Sequence, residues 1–170
     1  MKYLYSKKYY FLICLVASLV AGCDTTNSND EPDNIFGYWK LDRIVYETGD
    51  VLRPGDGDSS PTNPEDEIHL LGFHDTEVFA DGVYHKRLSG VSYCNSLSGS
   101  FIKKPGHELE IHLGASRAAC GISAEFIFAV ESTHSYDLTG KSLVLLFEYE
   151  DEGLEQTFEG QVFLVRFIIQ

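Results

Sequence analysis

The sequence has 170 residues, with 13 Lys and Arg against 26 Asp and Glu and a formal net charge of −13. This length predicts one folded domain of about 100–150 residues plus appended segments. The acidic balance argues against nucleic acid and anionic lipid headgroups as partners. It would suit a cationic partner, although acidity is also a general means of staying soluble.

Residues 1–22 have the organisation of a secretory signal peptide. Three lysines lie near the start, and the stretch from Tyr9 to Val20 is almost wholly apolar but too short for a membrane span. Residues 19–23 read Leu-Val-Ala-Gly-Cys, which resembles the lipobox of bacterial lipoproteins. There the cysteine thiol receives diacylglycerol and the peptide is cut just before it. We therefore predict a bacterial envelope protein that is lipid-anchored through Cys23 at the outer membrane or cell surface; an ordinary secretory signal is the alternative.

Residues 23–34 are predicted to form a flexible tether between the lipid and a folded domain at residues 35–170. From Asp24 to Asn34 the chain is polar, and its one apolar side chain is Pro32, so it cannot bury a core. Residues 1–22 hold three lysines and no acidic residue. Residues 23–170 therefore carry 10 Lys and Arg against 26 Asp and Glu, a formal charge of −16.

The four cysteines divide by position. Cys14 lies in the signal peptide and Cys23 would carry lipid, which leaves Cys94 and Cys120 as an even pair in an oxidising compartment. A bond between them would close a 27-residue loop and stabilise the fold by roughly 3–4 kcal/mol in the chain-entropy treatment. Two buried free thiols are the alternative.

The first predicted strand covers Phe36 to Tyr46, where Trp39 and Leu41 alternate with polar residues, and Trp39 is assigned to the core. Thr48 to Glu67 is rich in Pro, Gly and acidic residues and is predicted to be a long loop. A second strand follows from Glu67 to Phe73, and a turn is expected at His74 to Thr76. Asp81-Gly82 is a hairpin signal.

A third strand is predicted from Tyr84 to Tyr93. It leads into the stretch from Gly90 to Phe101, in which Asn95 is expected in a turn, where it could hydrogen-bond its own backbone and tolerate positive φ. Gly99 is expected to let the chain reverse before Phe101. Glu108 to Leu113 alternates charged and apolar residues as a half-buried strand does.

A helix is predicted from an N-cap at Ser123 to about Thr133, with Ile122, Phe126 and Val130 as its apolar stripe; the aromatic content also allows a strand. Tyr136 to Lys141 is a short strand and turn. Two further strands, Ser142 to Tyr149 and Gln161 to Ile169, flank an acidic turn at Glu150 to Gly153. About seven strands and one helix indicate a mainly β protein with an antiparallel, barrel-like sheet.

These elements, in this order, resemble the META domain family, whose bacterial members include HslJ-like lipoproteins. The resemblance covers Ile35 to Ile169. It is strongest in the Cys-Asn-x-x-x-Gly element that is followed about 25 residues later by a second cysteine. Its motif residues here are Gly37, Trp39, Gly90, Asn95, Gly99 and Glu125, with Cys94 and Cys120. The chain departs from the family at Ser116 and Ala118 and in its longer acidic loop. The resemblance implies a lipocalin-like barrel, an envelope location linked to stress tolerance, and no established catalytic residue.

No arrangement of residues in the sequence predicts catalysis or a cofactor. His69 and His74 are five residues apart, as are His107 and His112, so a strand would place each pair on opposite faces. The histidines are therefore expected to face solvent rather than to hold a metal. Cys94 would be a nucleophile only as a free thiol beside a base. Clustered carboxylates are expected in loops and the tether, without an apolar pocket around them.

The sequence therefore favours a lipid-anchored envelope accessory protein that is not an enzyme and that acts by binding protein. Its predicted contacts are a membrane, through the lipid, and a protein partner; no pattern specifies an oligomeric state. One alternative is an inhibitor of a cationic host enzyme such as lysozyme, which the charge of −16 would attract. Another is a small-ligand carrier, although the many large side chains are expected to fill the barrel interior.

Overall fold

The computed structural model describes residues 34–57, 60–80, 82–116, 118, 120–151 and 156–168. The predicted signal peptide, the lipidation residue Cys23 and the tether up to residue 33 lie outside the described residues. The described part contains nine strands and one α-helix. These are β1 (Gly37–Tyr46), β2 (Val51–Leu52), β3 (His69–Ala80), β4 (Val83–Ser92), β5 (Asn95–Lys103), β6 (Leu109–Ala115), α1 (Ser123–Glu131), β7 (Thr133–Thr139), β8 (Ser142–Asp151) and β9 (Gln156–Phe167).

All strand pairs are antiparallel, and the strands follow the order β6-β5-β4-β3-β1-β9-β8-β7, with β2 paired to β1. The two ends of this path meet at a single bridge between Glu108, just before β6, and Ser135 of β7. The sheet is therefore nearly closed on itself. This confirms the predicted mainly β fold with an antiparallel, barrel-like sheet and one helix.

Alternate residues of the strands point into the barrel and form its core. Trp39 is fully buried, as predicted, and residues from both ends of the strand path are buried as well. In β1 the pairing with β9 shifts between Leu41 and Arg43, and this bulge returns Ile44 to the interior face. The buried apolar strand residues are Trp39, Leu41, Ile44, Leu71, Phe73, Leu88, Leu97, Phe101, Leu109, Ile111, Tyr136, Leu143, Leu145, Phe147, Val162 and Leu164.

Helix α1 packs on strands from both halves of the sheet, β4, β6, β8 and β9. The predicted apolar stripe is confirmed, because Ile122, Phe126 and Val130 are all buried. The predicted N-cap is wrong: Ile122 occupies the cap position, and Ser123 lies inside the first turn. The Ser123 hydroxyl instead donates a hydrogen bond to the Ser92 carbonyl at 2.7 Å, so it links the helix to β4.

The hairpins differ from prediction in two places. His74 to Thr76 does not form a turn; β3 continues through it with a register shift between Phe73 and Glu77. The second reversal lies at Tyr93 and Cys94, and it is Tyr93, not Asn95, that has positive φ, at 49°. Gly99 lies inside β5, opposite Leu88 of β4. The chain does reverse near the predicted Asp81-Gly82 signal: β3 ends at Ala80, β4 begins at Val83, and Gly82 has φ 82°; Asp81 itself lies outside the described residues.

The long acidic loop is less irregular than predicted. It contains β2 and a 3-10 turn over Pro64–Asp66. At the other end of the chain, β8 includes Glu150 and Asp151, two residues of the predicted acidic turn, and β9 starts at Gln156, five residues before the predicted start at Gln161. No helix among the described residues is both long and apolar enough to span a bilayer.

Candidate functional site

The predicted cysteine pair is joined in the structure. Cys94 lies in the turn between β4 and β5, Cys120 lies just before α1, and their Cα atoms are 6.4 Å apart, within the normal disulfide range. Cys94 is exposed, which disagrees with the alternative of two buried thiols. Because its sulfur is bonded, Cys94 is not a thiol nucleophile in this state.

Asn95 fixes the loop that carries the second cysteine. Its Oδ1 accepts hydrogen bonds from the Ala118 amide at 2.7 Å and from the Ser116 hydroxyl at 3.2 Å. Its Nδ2 donates to the Ala118 carbonyl at 3.0 Å. Asn95 is only 2% exposed, so these bonds satisfy a buried amide. Asn95 therefore holds the loop that carries Cys120 against the β4–β5 hairpin, next to the disulfide.

Two of the motif glycines are required by close backbone contacts. A Cβ on Gly90 would lie 2.1 Å from the Leu70 carbonyl oxygen, and one on Gly99 would lie 2.0 Å from that of His112. Both positions are mid-strand, so any larger residue would push neighbouring strands apart. The glycine at 99 serves strand packing rather than the predicted reversal.

Gly37 and Trp39 organise the start of the domain. Gly37 has φ 123°, a region that favours glycine. The Trp39 indole donates from Nε1 to the Ile35 carbonyl at 2.7 Å. Arg166 of β9 lies over the Trp39 ring, 4.8 Å from its centroid, and donates to the Phe36 carbonyl at 2.7 Å. These contacts connect the first and last strands of the domain.

A buried polar network behind the disulfide was missed by the sequence analysis. Glu67 is fully buried; its Oε1 accepts from the Ile122 amide at 2.8 Å, and its Oε2 accepts from the Gly55 amide at 2.7 Å. Oε1 also lies 3.0 Å from Nε2 of the fully buried His69, whose Nδ1 is 2.8 Å from the Ser92 hydroxyl. The prediction that carboxylates lie only in loops without buried surroundings is therefore wrong for Glu67.

The network shifts the titration of both groups. Burial opposes ionisation of Glu67, but the nearby Ser60 hydroxyl and the hydrogen bonds from Ile122, Gly55 and His69 hold its pKa below the ordinary value. Burial lowers the pKa of His69 against the opposing attraction of the Glu67 carboxylate. The stable state at neutral pH is thus an ionised Glu67 that accepts from a neutral His69.

Ser92, His69 and Glu67 form a hydroxyl–imidazole–carboxylate series, but all three are completely buried. A substrate therefore cannot reach the Ser92 hydroxyl in this conformation, and the series serves the fold. It joins β3, β4, the acidic loop and the start of α1, which are separated in sequence by up to 67 residues, from Gly55 to Ile122.

The remaining histidines do not gather into a metal site. No group of three or more His, Cys, Asp or Glu side chains among the described residues is placed to hold a metal ion. The expectation that the histidines face solvent is wrong for His69 and for His85, which is 6% exposed and lies 3.2 Å from the Ser100 hydroxyl. It holds for His107 and His112, which are exposed.

An acidic groove lies between α1 and the end of β8, and we call it the helix groove. Its volume is about 620 Å³. It is lined by Glu125, Phe128 and Ser132 on one side and by Tyr149, Glu150 and Asp151 on the other. No basic side chain lies among the described residues that line it.

Glu125, predicted as a structural motif residue, lines this groove. Its Oε2 atom is buried and has no hydrogen-bond partner among the described residues. Buried carboxylate oxygens are normally paired, because an unpaired one loses its hydration without replacement. The motif position thus carries an unsatisfied acceptor rather than a completed structural contact.

Aromatic rings from the two sides of the helix groove stack on each other, and the row continues to Phe158 of β9. Phe128 and Tyr149 are stacked with centroids 6.2 Å apart, and Tyr149 and Phe158 are stacked at 5.1 Å. Burial raises the pKa of the Tyr46 hydroxyl behind this row, and Tyr149 and the Glu125 carboxylate raise it further. Burial likewise raises the pKa of Tyr149, so both phenols stay neutral beside the carboxylates.

The fold and these contacts define a small, disulfide-linked antiparallel barrel with an acidic, aromatic groove beside its helix. No protein-family model matches the chain, and no curated protein matches it. Membership of the META domain family therefore stays a prediction that depends on the motif residues named above.

Proposed function

We propose that this protein is a lipid-anchored accessory protein of the bacterial envelope, similar to META and HslJ-like lipoproteins, that binds another protein and supports stress tolerance. The observation that carries the proposal is the distribution of side chains. Large apolar residues occupy the barrel interior, while the concave acidic and aromatic features lie on the outside. That arrangement suits a protein-binding module better than a carrier that encloses a small molecule.

The anchoring part is tested by processing in the bacterial envelope. Globomycin, which blocks lipoprotein signal peptidase, should leave the precursor uncut. Cys23→Ser should release the domain from the membrane fraction, whereas Cys14→Ser, within the predicted signal peptide, should leave both processing and retention unchanged. Normal processing in globomycin together with membrane retention of Cys23→Ser would disprove the lipid anchor.

The binding part is tested by crosslinking in intact cells. A C-terminally tagged copy should capture a defined envelope protein, and capture should survive detergent extraction. A matched copy in which the folded domain is replaced by an unrelated lipoprotein domain should not capture it. Absence of any protein specific to the folded domain would contradict a protein-binding role.

The acidic groove favours a second candidate, inhibition of a cationic host enzyme such as lysozyme. A formal charge of −16 over residues 23–170 would accelerate encounter with a strongly basic protein. The test is a turbidity assay of lysozyme acting on bacterial cell walls with excess purified protein. Lysis at the uninhibited rate, at low as well as physiological ionic strength, would remove this candidate.

A further inference from the structure

We propose that the end of the barrel at which β1 begins docks onto the lipid bilayer, with the tip of the β3–β4 hairpin in the interfacial layer. This inference rests on the anchoring part of the proposed function and specifies which surface of the domain the bilayer contacts. We call this end the entry end, because the described body begins there at Asn34. We call the side chains of Phe79, Val83 and Tyr84 the hairpin tip.

The hairpin tip is an exposed apolar patch. Phe79 is 66% exposed, Val83 52% and Tyr84 68%. Phe79 and Tyr84 are opposite each other in the strand register, and their ring centroids are 5.1 Å apart. Exposed apolar patches mark surfaces that contact a partner or a membrane. Aromatic side chains in particular suit the boundary between headgroups and acyl chains, where an apolar ring and a polar edge are both satisfied.

The hairpin that carries this tip projects from the entry end. β3 pairs with β1 as far as Phe73, which lies opposite Gly37 at the start of β1, and it then continues seven residues to Ala80. Seven residues of strand extend about 20 Å. On the other side, β4 pairs with β5 from Lys86 onward. In the described part of the chain, the hairpin tip therefore pairs only across its own two strands.

The predicted lipid joins the chain within reach of the same end. Cys23 lies 11 residues before Asn34, and a chain of that length spans at most about 40 Å when fully extended. With the lipid inserted, the bilayer is therefore never farther than this from the entry end. Because such a tether makes docking an intramolecular event, a small apolar contact is enough to hold the barrel against the surface.

The net charge alone argues against contact with anionic headgroups, but the charge is unevenly distributed. The opposite end, at which β1 ends, we call the far end. Acidic side chains there far outnumber Arg43 and Arg53, and they include Glu47, Asp50, Asp56, Glu65, Asp66, Glu131, Glu148, Glu150, Asp151 and Glu159.

The entry end is close to neutral. Its three hairpins and the end of β9 carry six basic residues, which are Lys86, Arg87, Lys103, Lys104, Lys141 and Arg166. They carry five described acidic residues, which are Asp75, Glu77, Glu108, Glu110 and Asp137. Some of these charges neutralise each other directly: Lys86 lies 2.8 Å from Asp75, and Lys104 lies 2.6 Å from Glu110. An anionic bilayer surface therefore repels the far end much more than the entry end, which turns the hairpin tip toward the lipid.

The test measures how close the hairpin tip comes to the acyl chains. The processed protein is purified from the bacterial envelope in mild detergent and reconstituted into vesicles of phosphatidylethanolamine and phosphatidylglycerol. Some vesicles contain phospholipids brominated on their acyl chains, which quench nearby tryptophan. Phe79→Trp should be quenched at least about twofold more strongly than Phe128→Trp, because α1 lies toward the far end. Phe128 is a matched control, since its side chain is also exposed, at 42%.

Two further features make this comparison decisive. Trp39 is fully buried and adds the same background to both variants. Tyr84→Trp is a second probe of the hairpin tip and should behave as Phe79→Trp does. Equal quenching of the tip and helix probes, or stronger quenching of Phe128→Trp, would overturn the proposal.

A charge placed at the tip gives a second measurement. Val83→Asp, combined with Phe79→Trp, puts a carboxylate into the proposed contact and should remove most of the quenching, because a carboxylate is costly to move out of water. Thr157→Asp in the same background adds the same charge to an exposed residue of β9 at the far end and should leave quenching unchanged. Circular dichroism and thermal unfolding check that each variant is folded. Unchanged quenching in a folded Val83→Asp variant would contradict the docking surface.

The failure of this inference is separable from failure of the proposed function. If the lipidated protein stays with the vesicles but Phe79→Trp is not quenched, the docking surface is wrong and the anchor stands. A blue-shifted Phe79→Trp emission without quenching would mean that protein, such as a second copy of the chain, covers the tip, and this also overturns the proposal. If the protein carries no lipid on Cys23 and Phe79→Trp is still quenched on vesicles, the docking surface is supported and the lipid anchor is wrong.

Discussion

Replacing Glu67 by Gln tests whether the buried network holds the fold together. In the protein, the two carboxylate oxygens accept from Ile122 and His69 on one side and from Gly55 on the other. The amide of Gln supplies one acceptor oxygen and one NH₂ group. If the Gln oxygen keeps the hydrogen bonds from Ile122 and His69, the Gln NH₂ group faces the Gly55 N–H across 2.7 Å. Two hydrogen-bond donors then oppose each other.

The expected cost follows from those contacts. One hydrogen bond to a charged acceptor is lost, worth about 1.5–3 kcal/mol, and the two that remain lose their charge assistance. We expect Glu67→Gln to lower the free energy of unfolding by about 3 kcal/mol, a large part of the ~5–15 kcal/mol of a typical domain. With a urea m-value of about 2 kcal/mol/M, the unfolding midpoint should fall by about 1.5 M.

The assay is urea unfolding followed by the fluorescence of Trp39, which is fully buried in the folded protein and becomes exposed on unfolding. Glu65→Gln is the matched control, because it removes the same charge two residues away from an exposed side chain. Its midpoint should stay within about 0.25 M of the unmodified protein. A Glu67→Gln midpoint equally close to the unmodified protein would refute the reasoning.

The same network makes stability depend on pH with a definite sign. The folded-state pKa values of His69 and Glu67 both lie below their ordinary values of 6.5 and 4.5, so the unfolded chain binds protons more readily. The contribution from His69 is complete above pH 6.5 and is lost as pH falls from there toward its folded pKa. That from Glu67 is lost similarly below pH 4.5. Urea midpoints from pH 8 to 4 should therefore fall, and His69→Gln should flatten the first part of that fall.

Three further predictions concern the motif residues. The double variant Cys94→Ser/Cys120→Ser should be about 3.5 kcal/mol less stable, because the 27-residue loop is no longer closed by a disulfide. Reductant should not lower the melting temperature of this variant any further. A double variant as stable as the oxidised protein would contradict the prediction. Gly99→Ala should lower the free energy of unfolding by about 3 kcal/mol. Gly114→Ala should lower it by under about 1 kcal/mol, because a Cβ there would come no closer than 3.4 Å to its nearest neighbour, the Ser98 carbonyl oxygen. Equal urea midpoints for the two variants would refute this contrast. Glu125→Gln should leave stability unchanged or raise it by about 1 kcal/mol, and a clear loss in thermal unfolding would show that Glu125 has a structural partner.

The fold class could be predicted because alternation of apolar residues survives in most strands. Leu109 and Ile111 are buried while Glu108 and His112 are exposed, as their period of two indicates. The errors fall where the backbone departs from that period. The register shift after Phe73 keeps a turn-like sequence within a strand.

The buried network around Glu67 was harder to predict because its groups are far apart in sequence. The pattern around Glu67 resembles any acidic loop that leads into a strand. Only tertiary structure places the Ile122 amide against it, 55 residues away. One signal was present: Glu67 and His69 share parity with the buried Leu71, so the strand predicted from Glu67 to Phe73 places all three side chains on one face.

The position of β1 in the sheet affects how the domain would respond to a pulling force at its amino-terminal end. The chain enters the described body at Asn34 and immediately forms β1, which is not at an edge but lies between β3 and β9 with hydrogen bonds to both. Arg166 fastens the entry point further by donating to the Phe36 carbonyl. A force applied through residues 1–33 would therefore pull along a strand that is held on both flanks. When the force runs along β1, its hydrogen bonds to both neighbouring strands must break together, so we expect β1 to resist extraction more than an edge strand would.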